Sequence, residues 1–474
     1  MNSVKRSHDR GIFSIKKNVK ILKVEGSPHM RGFQHGYLLA PEIKKLVHGV
    51  LDGAAAVIAK TIHCTFREAK ERMDLGLKAA EPFFPADIKE EIKGISSGLL
   101  KAGVTEPDFR TLLLWNTMYD QWCIYAHPKH WDPFNPGIKA EYKGGMPGTR
   151  VLGGTGCSSF SAWGEAAGGD GSLIFGKNMD NLNLPGVTDN RILLIVNPDD
   201  GYSHACMTHP GMAGIDGGFN EKGISMMTQF NPSIHETMEG CGIGTLSRTL
   251  LKSAESITEA HEILTKNPRC TGIAYHVADA KAPGAAVIEV SSEKATIRLP
   301  EKNSSCLWTS NHSNSYPGWI NYSGYNMVND QAPVYELESF STIAEWQNSL
   351  RNPENLYVAA PSRFGRYRTL LNEYRGNIGI DNAIAILGDR LDAYSGEVRA
   401  KYTPSTSNNV LATICAFYPE DKFFEDEPAR AFTAHVANLW SLVIYPEKGD
   451  FWIAANDFPA QYGGYEHFNL FEEL

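Results

Sequence analysis

A layered α+β fold is what this sequence predicts, on three observations. Helical periodicity fills much of the first part of the chain, a Pro/Gly-rich break follows His127, and short apolar strands with a few helices run from Cys157 to the end. Many strands interrupted by few helices form sheets packed on each other with helices outside, because each apolar face must be buried against another.

The elements follow in order. The opening "VKRSHDRGIFSIKKNVK" is basic and reads as a solvated tail. "YLLAPEIKKLVHGVLDGAAAVIAKTI", from Tyr37, carries apolar residues at helical spacing. Thr65 opens the next helix, with Glu68 three residues on as a capping box. "PADIKEEIKGISSGLLKAG" stops on Gly103, and "PDFRTLLLWNTMYDQWCIYAH" supplies one more amphipathic helix, for four in all. "PKHWDPFNPGIKAEYKGGMPGTRVLGGTG" has neither period and reads as a long exposed connection. "CSSFSAWGEA" and "SLIFGKNMD" then flank the turn "AGGDG", whose glycines and aspartate tolerate positive φ, so a hairpin is predicted. Further strands are "RILLIVNP", "SHACMTHPG", "GIDGGFNEKGISMMTQF", "GIAYHVADA", "AAVIEVSS", "KATIRLP" and "CLWTSNH". Helices return at "GTLSRTLLKSAESITEAHEILTKN", "SRFGRYRTLLNEY" and "DNAIAILGDRL", and "HVANLWSLVIYPEKGDFWIAAN" closes the chain as a hairpin.

Composition narrows the function. With 474 residues, 42% hydrophobic and 21% charged, the chain has the make-up of a globular enzyme. Its net charge of -9 argues against nucleic acid and anionic membrane surfaces, which would repel it. No run of eighteen apolar residues occurs, and "GIFSI" is too short for a secretory signal, so no membrane insertion and a cytoplasmic location are expected. The eight cysteines are scattered without close pairs, which suggests neither a zinc knuckle nor a disulfide framework. His127 and His130, in "HPKH", have a metal-like spacing but no neighbouring ligands, and "GFNEKG" lacks the lysine and hydroxyl of a phosphate loop. The tryptophans, among them Trp115, Trp122, Trp131, Trp308, Trp319 and Trp346, read as core.

"GTGCSSF" concentrates the chemistry. Gly156 puts no side chain in the way of attack by the Cys157 thiol on the preceding carbonyl, which would end in a free Cys157 amine. An α-amine titrates at about 7.7 to 8.0 and a thiol near 8.5, so one residue would supply both nucleophile and base with no histidine. Read by its heptapeptide alone, Cys157 is more readily a buried strand cysteine than a nucleophile.

The stretch "CSSFSAWGEAAGGDGSLIFGKNMD" resembles the opening of N-terminal-nucleophile hydrolases related to choloylglycine hydrolase, penicillin V acylase and fungal acyl-coenzyme A:isopenicillin N acyltransferase. "VEGSPHMRGFQHGYLLAPEI", "HPGMAGIDGGFNEKGISMM", "TSNH", "SRFGRYRTLL" and "HVANLWSLVIYPEKGDFWIA" are similar to other blocks of that family, in the same order. The resemblance implies a four-layer αββα sandwich with a helical N-terminal segment. It implies residues 1–23 as a basic tail, 24–156 as a helical chain cut from the nucleophile chain, and 157–474 as the catalytic core. It also makes Cys157 the nucleophile, Asp180 the carboxylate that holds its α-amine, Asn311 an oxyanion donor and Arg363 the cation beside the acyl group. Lys177 stands where the bile-salt branch has an arginine, a point charge for a planar fork, and a second oxyanion donor is expected among the backbone amides of Thr228 to Phe230. His312 is expected to be structural.

The activity so implied is a self-processing amidohydrolase or acyltransferase that cleaves a non-peptide amide of an acylated small molecule through a Cys157 thioester, without cofactor or metal. The two cut chains are expected to stay associated, and assembly into a homo-oligomer is compatible with the sequence. Three alternatives stay open: an acyl-CoA-dependent N-acyltransferase, a non-catalytic binding protein with Cys157 uncleaved, and a cysteine hydrolase using His209 or His312 as base.

Overall fold

The three strands that begin the described chain correct the expectation of a solvated tail. The structure is a computed structural model describing residues 5–124, 129–135, 139–141, 157–183, 186–231, 233, 235–311, 359–391, 396–401, 413–418 and 435–474. Within it β1 (Lys5–His8), β2 (Gly11–Lys16) and β3 (Val19–Gly26) form an antiparallel edge of a sheet. Phe13, Val19, Ile21 and Val24 are buried while the lysines among them find partners: Lys16 and Lys23 each lie 2.6 Å from Glu473, and Arg6 pairs with Glu42. Alternation of apolar and basic residues is a half-buried strand pattern, and the net charge of the stretch conceals it.

Five helices follow where four are expected. They are α1 (Pro28–Leu38), α2 (Ala40–Ile62), α3 (Phe66–Ala80), α4 (Ala86–Lys101) and α5 (Phe109–Ile124). Thr65 and Glu68 form the capping box at the start of α3. The additional helix, α1, has two glycines in its interior, which disfavours a helix in isolation. Packing reverses that preference, since a Cβ on Gly32 would sit 1.8 Å from the carbonyl oxygen of Glu91, and one on Gly36 2.0 Å from that of Ile95. Gly94 and Gly98 of α4 meet α1 in the same way, so the two backbones touch. Gly36→Ala is therefore expected to lower unfolding free energy by about 3 kcal/mol, measured by denaturant titration, because backbone atoms cannot move aside as a side chain would.

The rest of the chain adds β4 (Lys129–Trp131), β5 (Lys139–Glu141), β6 (Ser158–Ala162), β7 (Ile174–Asn183), β8 (Ile192–Pro198), β9 (His204–Thr208), β10 (Gly217–Asn220), β11 (Ile224–Phe230), α6 (Ile243–Ser253) and α7 (Ile257–Lys266). Then come β12 (Ile273–Asp279), β13 (Gly284–Val290), β14 (Ala295–Arg298), β15 (Cys306–Thr309), α8 (Ala359–Glu373), α9 (Ile380–Leu387), β16 (Phe417–Tyr418), β17 (His435–Tyr445), β18 (Asp450–Ala454), β19 (Glu466–Asn469) and α10 (Leu470–Glu473). β4 and β5 pair within the stretch expected to be an unstructured connection, with Trp131 buried. The segment expected as one helix after Gly244 is two, because Ser256 caps a new start.

The fold is α+β with two large sheets. One has the order β1-β2-β3-β8-β9-β10-β11-β12-β13-β14, the other β15-β6-β7-β17-β18-β19 with β16 beside β17. All neighbours are antiparallel except β3 and β8, which run parallel and seat the N-terminal strands on the larger sheet. The sheets meet face to face. Phe175 of β7 packs edge-on against His276 of β12 at 4.6 Å, and Phe219 against Phe451 at 5.2 Å. Both nitrogens of His276 are held by Ser159 and Ser161, which is how a polar ring is tolerated between two sheets. α6 and α7 pack against the larger sheet, α8 and α9 against the smaller. Among the described residues no helix is long and apolar enough to cross a membrane.

The N-terminal helices are fastened to the rest by buried charge. Glu91 of α4 accepts from Arg31 of α1 and Arg248 of α6, all three at most 3% exposed.

Candidate active site

Cys157 stands at the head of β6, one residue before the ladder in which Ser158 faces Asn178. That register places it beside Met179 of β7, and its Sγ lies 3.3 Å from Met179 Sδ and 4.0 Å from the carbonyl oxygen of Asp180. Successive side chains of β7 point to opposite faces, so this one strand brackets Cys157 from two sides. Lys177 reaches across to the larger sheet, where its Nζ donates to the carbonyl oxygen of Thr228. Asp180 lies on the side of α8, accepting at Oδ1 from Asn438 Nδ2 at 2.9 Å.

Arg363 of α8 closes the arrangement. Its Nη1 donates to the carbonyl oxygen of Cys157 at 2.8 Å and its Nη2 to Oδ1 of Asn311 at 3.0 Å. With Oδ1 so held, the Asn311 amide nitrogen points the other way and donates to the Phe230 carbonyl at 2.8 Å. A planar guanidinium thus fixes both the nucleophile's backbone and the asparagine's orientation, which a lysine could not do. The five residues singled out from the sequence, Cys157, Lys177, Asp180, Asn311 and Arg363, are all buried and lie around one point.

The backbone amide expected as a second oxyanion donor is engaged at Thr228, whose N–H donates to the Asp216 carbonyl at 3.2 Å. His209 does not line the site. Its Nδ1 is 3.3 Å from the Asn190 carbonyl and burial lowers it to about 4, so it has neither the position nor the basicity of a general base for Cys157. Gly156, His127, His312, Trp319 and Trp346 fall outside the described residues.

Burial dominates the electrostatics. It pushes the Cys157 thiol up, against the pull of Lys177 and with the help of Asp180 and Asp216. It also pushes Asp180 up to about 7, opposed by Arg363, the Asn438 hydrogen bond and Lys177. Burial lowers both Lys177 and Arg363, because a cation in a low-dielectric interior loses its hydration. In this form the sulfur stays protonated at neutral pH and needs a base to act.

A cavity opens on Cys157. Met179, Asn181, Thr228, Phe230 and Ile273 line it from the strands, with Asp216 just before β10 and Ile243 at the start of α6. Its remaining wall is Tyr119, Trp122 and Cys123 of α5. That helix is bolted in place one turn earlier: Trp115 Nε1 donates to the Pro210 carbonyl at 3.0 Å, and Asn116 Oδ1 accepts from the Ala213 amide at 2.8 Å. Asp120 accepts from the Ile243 amide at 2.9 Å, and burial pushes its carboxyl up to about 6. Spacing of three and four residues on the helix then delivers Tyr119, Trp122 and Cys123 to the cavity.

Sequence reading missed Asn438, Asp216 and Tyr119. Asp216 carries one signal, a lone polar residue in the glycine-rich "GIDGGF", and Asn438 a weaker one, as one of three polar residues in the largely apolar "HVANLWSLV". Tyr119 carries none, because an aromatic residue on an amphipathic helix reads as core.

Comparison with known proteins gives one match to a family model, described as acyl-coenzyme A:6-aminopenicillanic acid acyl-transferase, over residues 166–423. That span holds Lys177, Asp180, Asn311 and Arg363, and begins just after Cys157. An uncharacterized protein of Archaeoglobus fulgidus is 27% identical over 287 residues, which is 59% of this chain and 44% of that one. The chain thus spans less than half the length of this curated relative. Among solved structures, the Caenorhabditis elegans ortholog of N-acylethanolamine-hydrolyzing acid amidase overlaps 61% of this chain and 93% of its own, at 14% identity and a TM-score of 0.36. A mutant conjugated bile acid hydrolase from Clostridium perfringens overlaps 67% and 93%, at 14% identity and a TM-score of 0.37. Overlaps this loose carry no argument about chemistry.

Proposed function

The chain belongs to the acyl-coenzyme A:6-aminopenicillanic acid acyl-transferase family, and from that premise we propose that it is a self-processing cysteine amidohydrolase or acyltransferase built on a four-layer αββα N-terminal-nucleophile core. The observation that carries the proposal is an orphaned acceptor. Oδ2 of Asp180 is fully buried and has no hydrogen-bond partner among the described residues, and Oδ1 of its neighbour Asn438 is in the same state. Unsatisfied buried acceptors are costly and rare. An ammonium at the head of β6, beside Asp180, would satisfy them, and breaking the bond before Cys157 creates one.

The chemistry runs in two stages. In processing, the Cys157 sulfur attacks the Gly156 carbonyl carbon, the C–N bond breaks with the proton passing to nitrogen, and water hydrolyses the thioester to leave a carboxylate, a free thiol and the α-amine. In turnover, the amine takes the thiol proton as the sulfur attacks the substrate amide, then gives it to the departing amine. Asp180 holds the amine, and Asn311, kept in orientation by Arg363, donates to the oxyanion. Water or an amine then takes the acyl group, hydrolysis being the default. With α5 as one cavity wall and β1 to β3 in the larger sheet, residues 1–156 remain with the core after cutting.

Treatment with an acyl p-nitrophenyl ester followed by mass analysis tests this reading: one acyl group is expected on the 157–474 fragment, at the Cys157 sulfur, and acylation elsewhere or none overturns it. The pH profile gives a second check. Asp180 must be ionised to hold an ammonium, and the new positive charge draws its carboxyl below the value of about 7 that burial sets. kcat/KM is therefore expected to rise with pH along an acid limb to which ionisation of Asp180 and loss of a proton from the Cys157 amine both contribute. Asp180→Asn is expected to lose most of the activity and, with the carboxylate no longer favouring the ammonium, to shift the remaining limb to lower pH.

A further inference from the structure

Asp216 presents a carboxyl group to the cavity with no hydrogen-bond donor for it among the described residues. It immediately precedes β10, is 7% exposed and shares the cavity with Cys157. Its main-chain carbonyl is committed, accepting from the amide and the Oγ1 of Thr228. Its side chain accepts no hydrogen bond from any described residue, and the cation that acts on it, Lys177, has its ammonium turned to the Thr228 carbonyl. Tyr119, Trp122 and Phe230 line the same space.

A carboxylate among aromatic faces is the chemistry that retains an alkylammonium: one charge-assisted hydrogen bond and one or more cation–π contacts. A purely hydrocarbon acyl chain packed there would instead strip water from Asp216 and offer no donor in return. We propose that Asp216 is a specificity-determining residue that binds a protonated amine on the acyl part of the substrate, so that ω-aminoacyl amides are preferred. The acyl part is assigned because it stays on the sulfur, inside the cavity, while the amine product leaves. The proposal rests on the Cys157 thioester reading above.

The test uses a short series of ω-aminoacyl p-nitroanilides, each matched with the alkanoyl p-nitroanilide in which methyl replaces ammonium, on the full-length processed protein. Wild type is expected to favour the amino member in kcat/KM by on the order of 100-fold at the best chain length. Asp216→Asn is expected to bring that ratio to about one, the loss falling on the amino substrate. A wild type that prefers the alkanoyl member at every length overturns the proposal without any variant. So does an Asp216→Asn protein that keeps the preference, or that loses both members equally, which would make Asp216 a counter-charge for Lys177. Acylation of Cys157 by butanoyl p-nitrophenyl ester, read by mass, separates the two readings: its absence sinks the thioester mechanism, while its presence alongside an alkanoyl preference sinks the role of Asp216 alone.

Discussion

Cys157→Ala is expected to yield one uninterrupted chain, and the wild-type protein is expected to separate on a denaturing gel into pieces of residues 1–156 and 157–474. Turnover of any amide is expected to fall by about 10,000-fold or more, since removal of a nucleophile leaves only binding and oxyanion stabilisation. Alanine fits the space, as Cys157 is buried against Met179, so the variant folds and its uncut state is informative. Cys157→Ser separates the two stages, because a hydroxyl can attack the preceding carbonyl slowly and yet turn over substrate weakly. A fully active protein whose chain is continuous at this position would be incompatible with an amine of Cys157 as the base.

Asn311→Ala is expected to lower kcat by about 100-fold to 1000-fold with little change in KM, the signature of a donor that works in the transition state. Rates are normalised to the processed fraction, so that an effect on cleavage is not read as one on turnover. Arg363 Nη2 holds the Asn311 side-chain oxygen, so Arg363→Ala releases the amide to rotate and removes much of the same stabilisation. The double variant is then expected to lose less than the product of the two single losses. Multiplicative losses would mean that Arg363 and Asn311 act independently.

The path of the backbone was legible wherever the pattern is local. The hairpin of β6 and β7 follows from its glycine turn, and the start of α3 from Thr65 and Glu68, because a turn or a cap is decided by neighbours in sequence. Two local readings failed for opposite reasons. Net charge concealed the alternation of β2 and β3, and the glycines of α1 lower its helix propensity but let its backbone rest on α4. In both, packing between distant segments outweighed the local signal.

By itself, the sequence determined the class of fold, the succession of most strands and helices, and a thiol placed behind an unhindered glycine. Only the tertiary structure decided what surrounds that thiol. Arg363 touches the Cys157 carbonyl across 206 positions and Asn438 touches Asp180 across 258, and no local rule encodes such meetings. Sheet register and the seating of α5 and α8 bring those groups together, and the same packing strips water from Asp180 and Asp216. Dehydration is what raises the proton affinity of those two carboxyl groups, because a charge is inexpensive in water and costly between two sheets.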